Sequence, residues 1–383
     1  MKICILSPIY PKNSDKRLGI FVHEQAKYIA RLNHEVHVIA KGDVADKEFE
    51  VREGVNVHRI CLQGKSIISN FVFAVLTLNK LITLNRELDF DVIHSHFVGA
   101  LTALQGIAAK LLKKPYFITI HGIGMLTENK LNQSLIRFDF WLASKVICVS
   151  NYVAKLASKY TTRSKIDVVN NGVDPEKLKL TINKHDFKKK LGLRNEKILL
   201  SVAGLVKRKG IDVVIQALPD VIKQYPDLKY FVIGRGAEKN NLYEMAKSRG
   251  LLKNIIFIDY VSNEELASFY NLCDVFILMS RTLKKEEGIE GFGIAYIEAS
   301  YFGKPVIGGK SGGTSDSIVD EVTGFRVEPE NNKEIARKIL LLLKNDKLRK
   351  KLSRAGAYRV KNQFLWSHSA QKLVRIYTSL INL

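Results

Sequence analysis

Ile198-Leu199-Leu200-Ser201-Val202 is followed by Ala203-Gly204-Leu205-Val206 and the cationic turn Lys207-Arg208-Lys209-Gly210, and then by a helical segment beginning near Ile211. The apolar run reads as a strand with no polar face, the kind found in parallel sheets covered by helices on both sides. The same strand-then-helix unit recurs along the chain. In the first half, apolar runs stand at residues 3–6, 36–39, 55–60, 92–93, 116–120, 146–149 and 166–169. In the second half they stand at 198–202, 230–233, 255–258, 275–278 and 305–307, with a short late strand at 325–327. Two such series, each long enough to stand alone, predict an α/β protein of two doubly wound domains.

Between the series lies Asn170-Asn171-Gly172-Val173-Asp174-Pro175, a turn followed by the charged stretch 177–190. That is the composition of a connector crossed by few contacts. The expected division is 1–175, 176–364, and a terminal amphipathic helix over 365–383 that packs back on the first domain. With 383 residues, 46% apolar and 26% charged, the chain can bury sizeable cores and is not collagen-like or disordered. Lys and Arg number 60 against 38 Asp and Glu, a net charge of +22, so phosphate-rich ligands, polyanions or anionic membranes are the fitting partners. Cys4, Cys61, Cys148 and Cys273 lie far apart without a CxxC pair, which predicts free thiols in a reducing compartment. The N-terminus reads as a first strand rather than a signal peptide, and residues 67–82 are too short and too interrupted to span a bilayer.

In open α/β sheets ligands sit at the carboxyl ends of strands. The loop after the first strand ends at Gly19 and opens a helix carrying His23, where backbone N–H groups can meet phosphate. A tight turn, and a packing role for His23, are the alternatives. Two more strands end in His94-Ser95-His96 and in His121-Gly122. His121 is preferred as a substrate contact because Gly122 opens space beside it; His94 and His96 share a strand face and fit simple packing equally well. The three cations Lys207, Arg208 and Lys209 beside a helix start form a candidate diphosphate clamp, with a solvated charge patch as the alternative. Gly234-Arg235-Gly236 is another place for close ligand approach, although the dinucleotide fingerprint is absent. No HExxH, cysteine pair or DxD-like acidic group stands near these loops, so no metal is expected.

The most informative stretch is Glu290-Gly291-Phe292-Gly293-Ile294-Ala295-Tyr296-Ile297-Glu298-Ala299. Glu290 precedes a helix and Glu298 lies about a turn inside it, so one carboxylate can face a bound ring while the other reaches a more remote hydroxyl pair. Gly308-Gly309-Lys310-Ser311-Gly312-Gly313-Thr314 adds a second flexible, phosphate-sized loop. The stretch from Glu290 to Gly313, with the Gly19 loop, 92–96, 119–122, 171–174 and Lys209-Gly210, resembles the family 4 retaining glycosyltransferases over essentially the whole chain. The resemblance implies the GT-B fold, two Rossmann-like domains facing each other across a cleft, the first binding acceptor and the second the nucleotide sugar. It implies that Lys209 neutralises the donor diphosphate, Glu298 holds the ribose and Glu290 contacts the transferred sugar. Phe292, Gly293 and Ile294 would lie around sugar and phosphate, Gly19 would meet the diphosphate, and His121 the sugar. Where the family commonly carries Arg, this chain has Gly204, five residues before Lys209; Arg208 or Lys207 are the cations available to replace it.

The resemblance implies transfer of a hexose to a hydroxyl of a lipid, lipid-linked or glycan acceptor, with retention and without a divalent metal, and the similarity of the stretch from Glu290 to Gly313 to mannosyltransferases puts mannose from GDP-mannose first. A UDP-hexose enzyme of polysaccharide synthesis and a non-catalytic sugar-nucleotide-binding module are the alternatives. Glu298 reads as a ribose ligand, which leaves Glu290 without the second carboxylate a hydrolase needs. Lys65, Phe71, Phe73, Lys80, Lys110, Lys113 and Lys114 fit a peripheral enzyme on the cytoplasmic membrane face, with a merely solubilising basic surface as the alternative, and the polar run 281–287 resembles that of family members that glycosylate membrane lipids. Dispersed cations and the lack of any nucleic-acid-binding motif argue against a nucleic-acid partner.

Overall fold

The computed structural model describes residues 1–62, 64, 66–122, 124–283 and 288–381. Lys65 and residues 284–287, part of the basic and polar material singled out above, lie outside the described residues. The chain divides into unit 1, Met1–Asn171 with Trp366–Leu383, and unit 2, Gly172–Leu365. The first division thus falls just before Gly172 rather than at 175.

Unit 1 is built on an eight-stranded sheet of β1 (Lys2–Ser7), β2 (Glu35–Gly42), β3 (Phe49–Arg52), β4 (Val55–Cys61), β5 (Val92–His96), β6 (Tyr116–Ile120), β7 (Lys145–Cys148) and β8 (Ile166–Val168). Their order is β3-β4-β2-β1-β5-β6-β7-β8. All pairs are parallel except β3 with β4. Residues Ile3, Cys4, Ile5 and Leu6 of β1 are completely buried, as a central strand covered on both faces requires. The sequence reading lacked β3, whose Phe49, Glu50, Val51 and Arg52 form a half-exposed antiparallel edge. Arg59 on β4 donates to Glu50 at 2.6 Å, and the Phe49 and His58 rings meet at 5.1 Å.

Unit 2 carries a fully parallel six-stranded sheet of β9 (Ile198–Val202), β10 (Lys229–Ile233), β11 (Ile255–Ile258), β12 (Val275–Leu278), β13 (Val306–Gly309) and β14 (Gly324–Val327). The order is β11-β10-β9-β12-β13-β14. In each sheet the direction of winding reverses beside one strand, β1 in unit 1 and β9 in unit 2, and the crevice outside such a reversal is where open α/β sheets hold ligands. The chain enters and leaves unit 2 side by side, since Val173 pairs with Leu365 and its N–H donates to the Phe364 carbonyl at 2.8 Å.

The terminal helix Trp366–Ile381 packs within unit 1 against the helix Ile20–Ala30. Its Tyr377 is fully buried between His94 and Phe117. All four cysteines are free, and Cys4, Cys148 and Cys273 are buried. Among the described residues no helix is long and apolar enough to cross a membrane.

Candidate functional site

At the carboxyl end of β9 the chain makes one 3₁₀ turn, Lys207–Lys209, before the helix Ile211–Ile222. Gly210 joins them at φ 64°, and a Cβ there would lie 1.9 Å from the Met279 carbonyl oxygen. Only glycine lets the two loops close this far. The Arg281 N–H donates to the Arg208 carbonyl at 2.8 Å, and the Arg281 guanidinium pairs with Asp212 at 2.8 Å, so the cationic turn is fastened to the residues following β12.

This fastening brings Lys209 and Arg208 to Glu290. Lys209 Nζ donates to Glu290 Oε2 at 2.5 Å, the Ser280 hydroxyl donates to the same oxygen at 3.0 Å, and Arg208 Nη1 lies at 3.5 Å. The Tyr296 hydroxyl donates to the Leu278 carbonyl at 2.5 Å and lies 3.2 Å from Ser280 Oγ, bracing that serine from below. Glu290 is only 7% exposed. Burial pushes its carboxyl up, but Lys209 and Arg208 beside it, with the hydrogen bonds from Lys209 and Ser280, outweigh burial and hold it below the usual carboxylate range. Glu290 therefore stays ionised, and it occupies the ammonium that the sequence assigned to a diphosphate. Lys207 is exposed, so Arg208 is the cation that joins Lys209 here.

Gly293 caps the helix Ile294–Tyr301 at φ 91°, leaving the first N–H groups of that helix without partners inside it. Phe292 is 2% exposed and meets Phe364 edge to face at 5.3 Å, so it offers a ligand only its backbone. Ile294 and Glu298 are half-buried, and the Tyr270 hydroxyl donates to Glu298 Oε2 at 2.7 Å. The loop at 308–314 is not the flexible element expected from its glycines. The Gly313 N–H donates to the Glu290 carbonyl at 2.6 Å, and the Thr314 hydroxyl donates to the Gly309 carbonyl at 2.8 Å, so the loop forms a fixed wall behind Glu290. The glycines at 234 and 236 serve contact between neighbouring loops rather than ligand approach, as the Leu205 N–H donates to the Arg235 carbonyl at 2.7 Å and a Cβ on either glycine would strike that first loop's backbone.

In unit 1, Gly19 adopts φ 64° at the start of the helix Ile20–Ala30, and a Cβ there would lie 2.4 Å from the Ile9 carbonyl. Phe21, in the first turn, meets the His121 ring at 4.4 Å, so the two predicted unit 1 contacts do come together. His94, His96 and His121 form a ladder of rings, with centroids 4.8 Å and 5.2 Å apart. His96 Nδ1 and His121 Nε2 share a hydrogen bond at 2.9 Å, while His94 is held by Tyr377 and by Thr119. Burial lowers His94 and His121 to about 3 and takes His96 well below its ordinary value. The three rings are held neutral at physiological pH, and His121 spends one ring nitrogen on His96. His23 is fully buried, bonded to the Tyr10 hydroxyl at 2.6 Å and to Glu53 at 2.7 Å, and is part of the packing.

Sequence reasoning missed Ser280, Tyr270 and the Asp212–Arg281 pair. Ser280 and Arg281 directly follow an apolar strand, which was the available signal; Tyr270 lay inside a helix with nothing to mark it. Among the described residues no group of three or more His, Cys, Asp or Glu comes together as a metal centre.

Two family models match this chain: Glycosyltransferase Family 4 over residues 18–177 and Glycosyl transferases group 1 over residues 183–359. An uncharacterized glycosyltransferase of Methanocaldococcus jannaschii is 26% identical, with 98% of each chain covered. A GDP-mannose-dependent alpha-(1-6)-phosphatidylinositol monomannoside mannosyltransferase of Mycolicibacterium smegmatis is 28% identical over 61% of this chain and 62% of its own. Among solved structures, a sucrose-phosphate synthase from Thermosynechococcus elongatus superposes with a TM-score of 0.82 at 20% identity, covering 100% of this chain and 99% of its own. Anabaena HepE, in complex with UDP and glucose, gives 0.78 at 19% identity, covering 99% and 100%.

Proposed function

Since the chain belongs to glycosyltransferase family 4 and folds as the two parallel-sheet α/β units of the GT-B type, we propose that it transfers a hexose, mannose from GDP-mannose first, to a hydroxyl of a lipid or lipid-linked glycan with retention at the anomeric carbon. The observation that carries this reading is the Arg208–Lys209 pair converging on buried Glu290 at the carboxyl ends of β9 and β12. A departing nucleoside diphosphate develops negative charge, and fixed cations with helix N–H groups stabilise it without reorganising. The donor bond from the anomeric carbon to the diphosphate breaks, a bond to the acceptor oxygen forms on the same face, and the acceptor proton passes to the β-phosphate. Glu290 orients the sugar and forms no covalent intermediate; Glu298 receives the ribose hydroxyls. The cations do the work a divalent metal does elsewhere, so turnover is expected to survive EDTA; strict dependence on Mg²⁺ or Mn²⁺ would refute that part.

The choice of mannose is supported by the similarity to the Mycolicibacterium mannosyltransferase. Calorimetric titration with GDP-, UDP- and ADP-linked hexoses tests it: saturable preference for GDP-mannose, weakened by Lys209→Ala, is the expected result, and preference for a UDP-hexose would overturn the donor assignment. Retention is read separately from the anomeric configuration of the product by NMR.

A lipid acceptor is supported by the exposed apolar and basic face of unit 1. Leu111 is 79% and Trp141 60% exposed, Lys110 Nζ sits 3.9 Å over the Trp141 ring, and Lys113 stands beside them. Phe71 is exposed as the sequence suggested, whereas Phe73 is buried and takes no part. Aromatic rings flanked by lysines suit a membrane interface. Co-sedimentation with anionic vesicles at low salt is expected for the wild type and reduced in Trp141→Ala; no binding to vesicles would remove the peripheral reading.

A further inference from the structure

A cluster of positive charge in unit 2 lies at the amino ends of its strands, away from the Lys209–Glu290 group. A cavity of about 340 Å³ opens beneath the starts of β12 and β13, lined by Asp274 and Lys304 immediately before those strands, by Lys184, and by Arg349, Lys350 and Arg354 of the helix Asp346–Gln363. At about 3.3 Å per residue, β13 alone separates this cavity from the carboxyl ends by about 10 Å. It is a different place from the donor site.

The charges around it are unbalanced. Asp274, the sole carboxylate of the lining, already accepts the Ile198 N–H at 2.8 Å. Arg349 is occupied by Asp346 at 2.7 Å and by the Leu342 carbonyl at 3.0 Å. The side chains of Lys184, Lys350 and Arg354 are exposed and make no ion pair or hydrogen bond among the described residues. Lys304 is half-buried, with its ammonium on the Asn271 carbonyl at 2.7 Å; burial draws it below the ordinary lysine range, Lys184 and Arg349 push the same way, and Cys273 and Asp274 oppose the shift without cancelling it. Like charges gathered around a concavity repel one another and focus a field that attracts counter-ions. The Ser353 hydroxyl and the open space beside Gly303, where a Cβ would meet nothing within 4 Å, complete a lining suited to oxyanions. The volume falls at the low end of small-molecule pockets.

We propose that this cavity is a second anion site, which binds a small soluble molecule bearing phosphate, with Lys184, Lys350 and Arg354 as its ligands. It stands independently of the donor and acceptor assigned above, because neither the clamp nor the helix that carries Glu298 contributes to its lining.

The test uses inorganic pyrophosphate as probe, titrated by calorimetry at physiological salt into four proteins: the wild type, Lys209→Ala, a pocket variant that adds Lys350→Glu/Arg354→Glu to Lys209→Ala so that the clamp is silent, and a charge-matched control that adds Lys47→Glu/Lys159→Glu, at exposed positions of unit 1, to the same background. Saturable binding is expected to persist in Lys209→Ala and in the control, and to weaken by about tenfold or more in the pocket variant, as expected for lost charge-assisted contacts. The altered side chains are exposed, and thermal unfolding of each variant checks that the fold is intact. Binding that disappears with Lys209→Ala alone, or that falls equally in pocket variant and control, would overturn the site. Vesicles containing phosphatidic acid form the last arm: vesicle binding that falls with the pocket variant but not with the control would assign the site to a lipid headgroup and overturn the soluble ligand.

Discussion

Replacing Lys209 with alanine tests the clamp most directly. The substitution removes the ammonium 2.5 Å from Glu290 Oε2 and leaves that oxygen with Ser280 at 3.0 Å and Arg208 at 3.5 Å. Breaking a buried pair by deleting one member costs about 3–5 kcal/mol, and the two remaining partners place this case at the lower end, about 3 kcal/mol. The penalty depends on pH, and its sign follows from Glu290. In the wild type the folded carboxyl is held below its ordinary value, so its stabilising share is present above the unfolded pKa of about 4.3 and is lost as pH falls through the lower folded value. Without Lys209, burial is opposed by fewer partners, the folded value moves up, and the deficit of the variant grows as pH rises. Urea unfolding at pH 5 and pH 8 is therefore expected to show a larger loss at pH 8. Adding Glu290→Gln removes the stranded charge, so the double variant should recover most of the lost stability while donor binding, read by calorimetry, stays about tenfold or more below wild type. Recovery of donor binding together with stability would refute the reasoning, since Lys209 would then serve only to neutralise Glu290. A loss of stability unaffected by pH or by Glu290→Gln would refute the buried pair itself.

Three further outcomes are expected. Gly204→Arg meets its nearest neighbour, the Arg235 carbonyl, only at 3.9 Å and places a third cation by the clamp, so calorimetry should show donor affinity unchanged or higher by about tenfold, with no loss of thermal stability; a fall in affinity would remove position 204 from the donor site. Because the folded values of His94, His96 and His121 all lie below their unfolded value of about 6.5, the folded state binds fewer protons, and stability should fall as pH drops below 6.5 by up to about 1.4 kcal/mol per pH unit for each ring; a flat urea midpoint from pH 7 to 5 would contradict the neutral ladder, as would a limb near pH 6.5 in kcat/KM that vanishes in His121→Asn. Tyr377→Phe leaves buried His94 Nδ1 without its hydroxyl partner and should cost about 1–3 kcal/mol in urea unfolding; an unchanged midpoint would mean that the terminal helix holds His94 through packing alone.

The parallel strands were legible because they are covered on both faces and so read as unbroken apolar runs. β3 was not, since Glu50 and Arg52 alternate with Phe49 and Val51 on an edge where only one face is used and pairing, not burial, forms the strand. The Glu290-to-Glu298 stretch showed its loop-then-helix form directly, as Gly293 ends the loop in a conformation other residues avoid. What linear sequence could not give was distance. That Lys209 grips Glu290 depends on Gly210 lying against Met279, contacts between segments about 70–80 positions apart, and on Ser280, ten positions before Glu290, reaching the same carboxylate. The same limit explains His121: its position at a strand end was readable, but its neutrality comes from rings on β5 and in the first turn after Gly19. For Phe73 and His23 the residue type suggested contact with lipid or ligand, while burial decided for packing.

The side-by-side passage of the chain at Val173 and Leu365 makes unit 2 an insert with adjoining ends. Residues 172–365 can therefore be excised as one continuous polypeptide without severing a strand of either sheet, and the segments ending at Asn171 and beginning at Trp366 can be rejoined by a short linker. Circular permutants opened in an exposed loop of unit 2 and closed across its own ends follow from the same arrangement, in which the whole second sheet belongs to one uninterrupted stretch of chain.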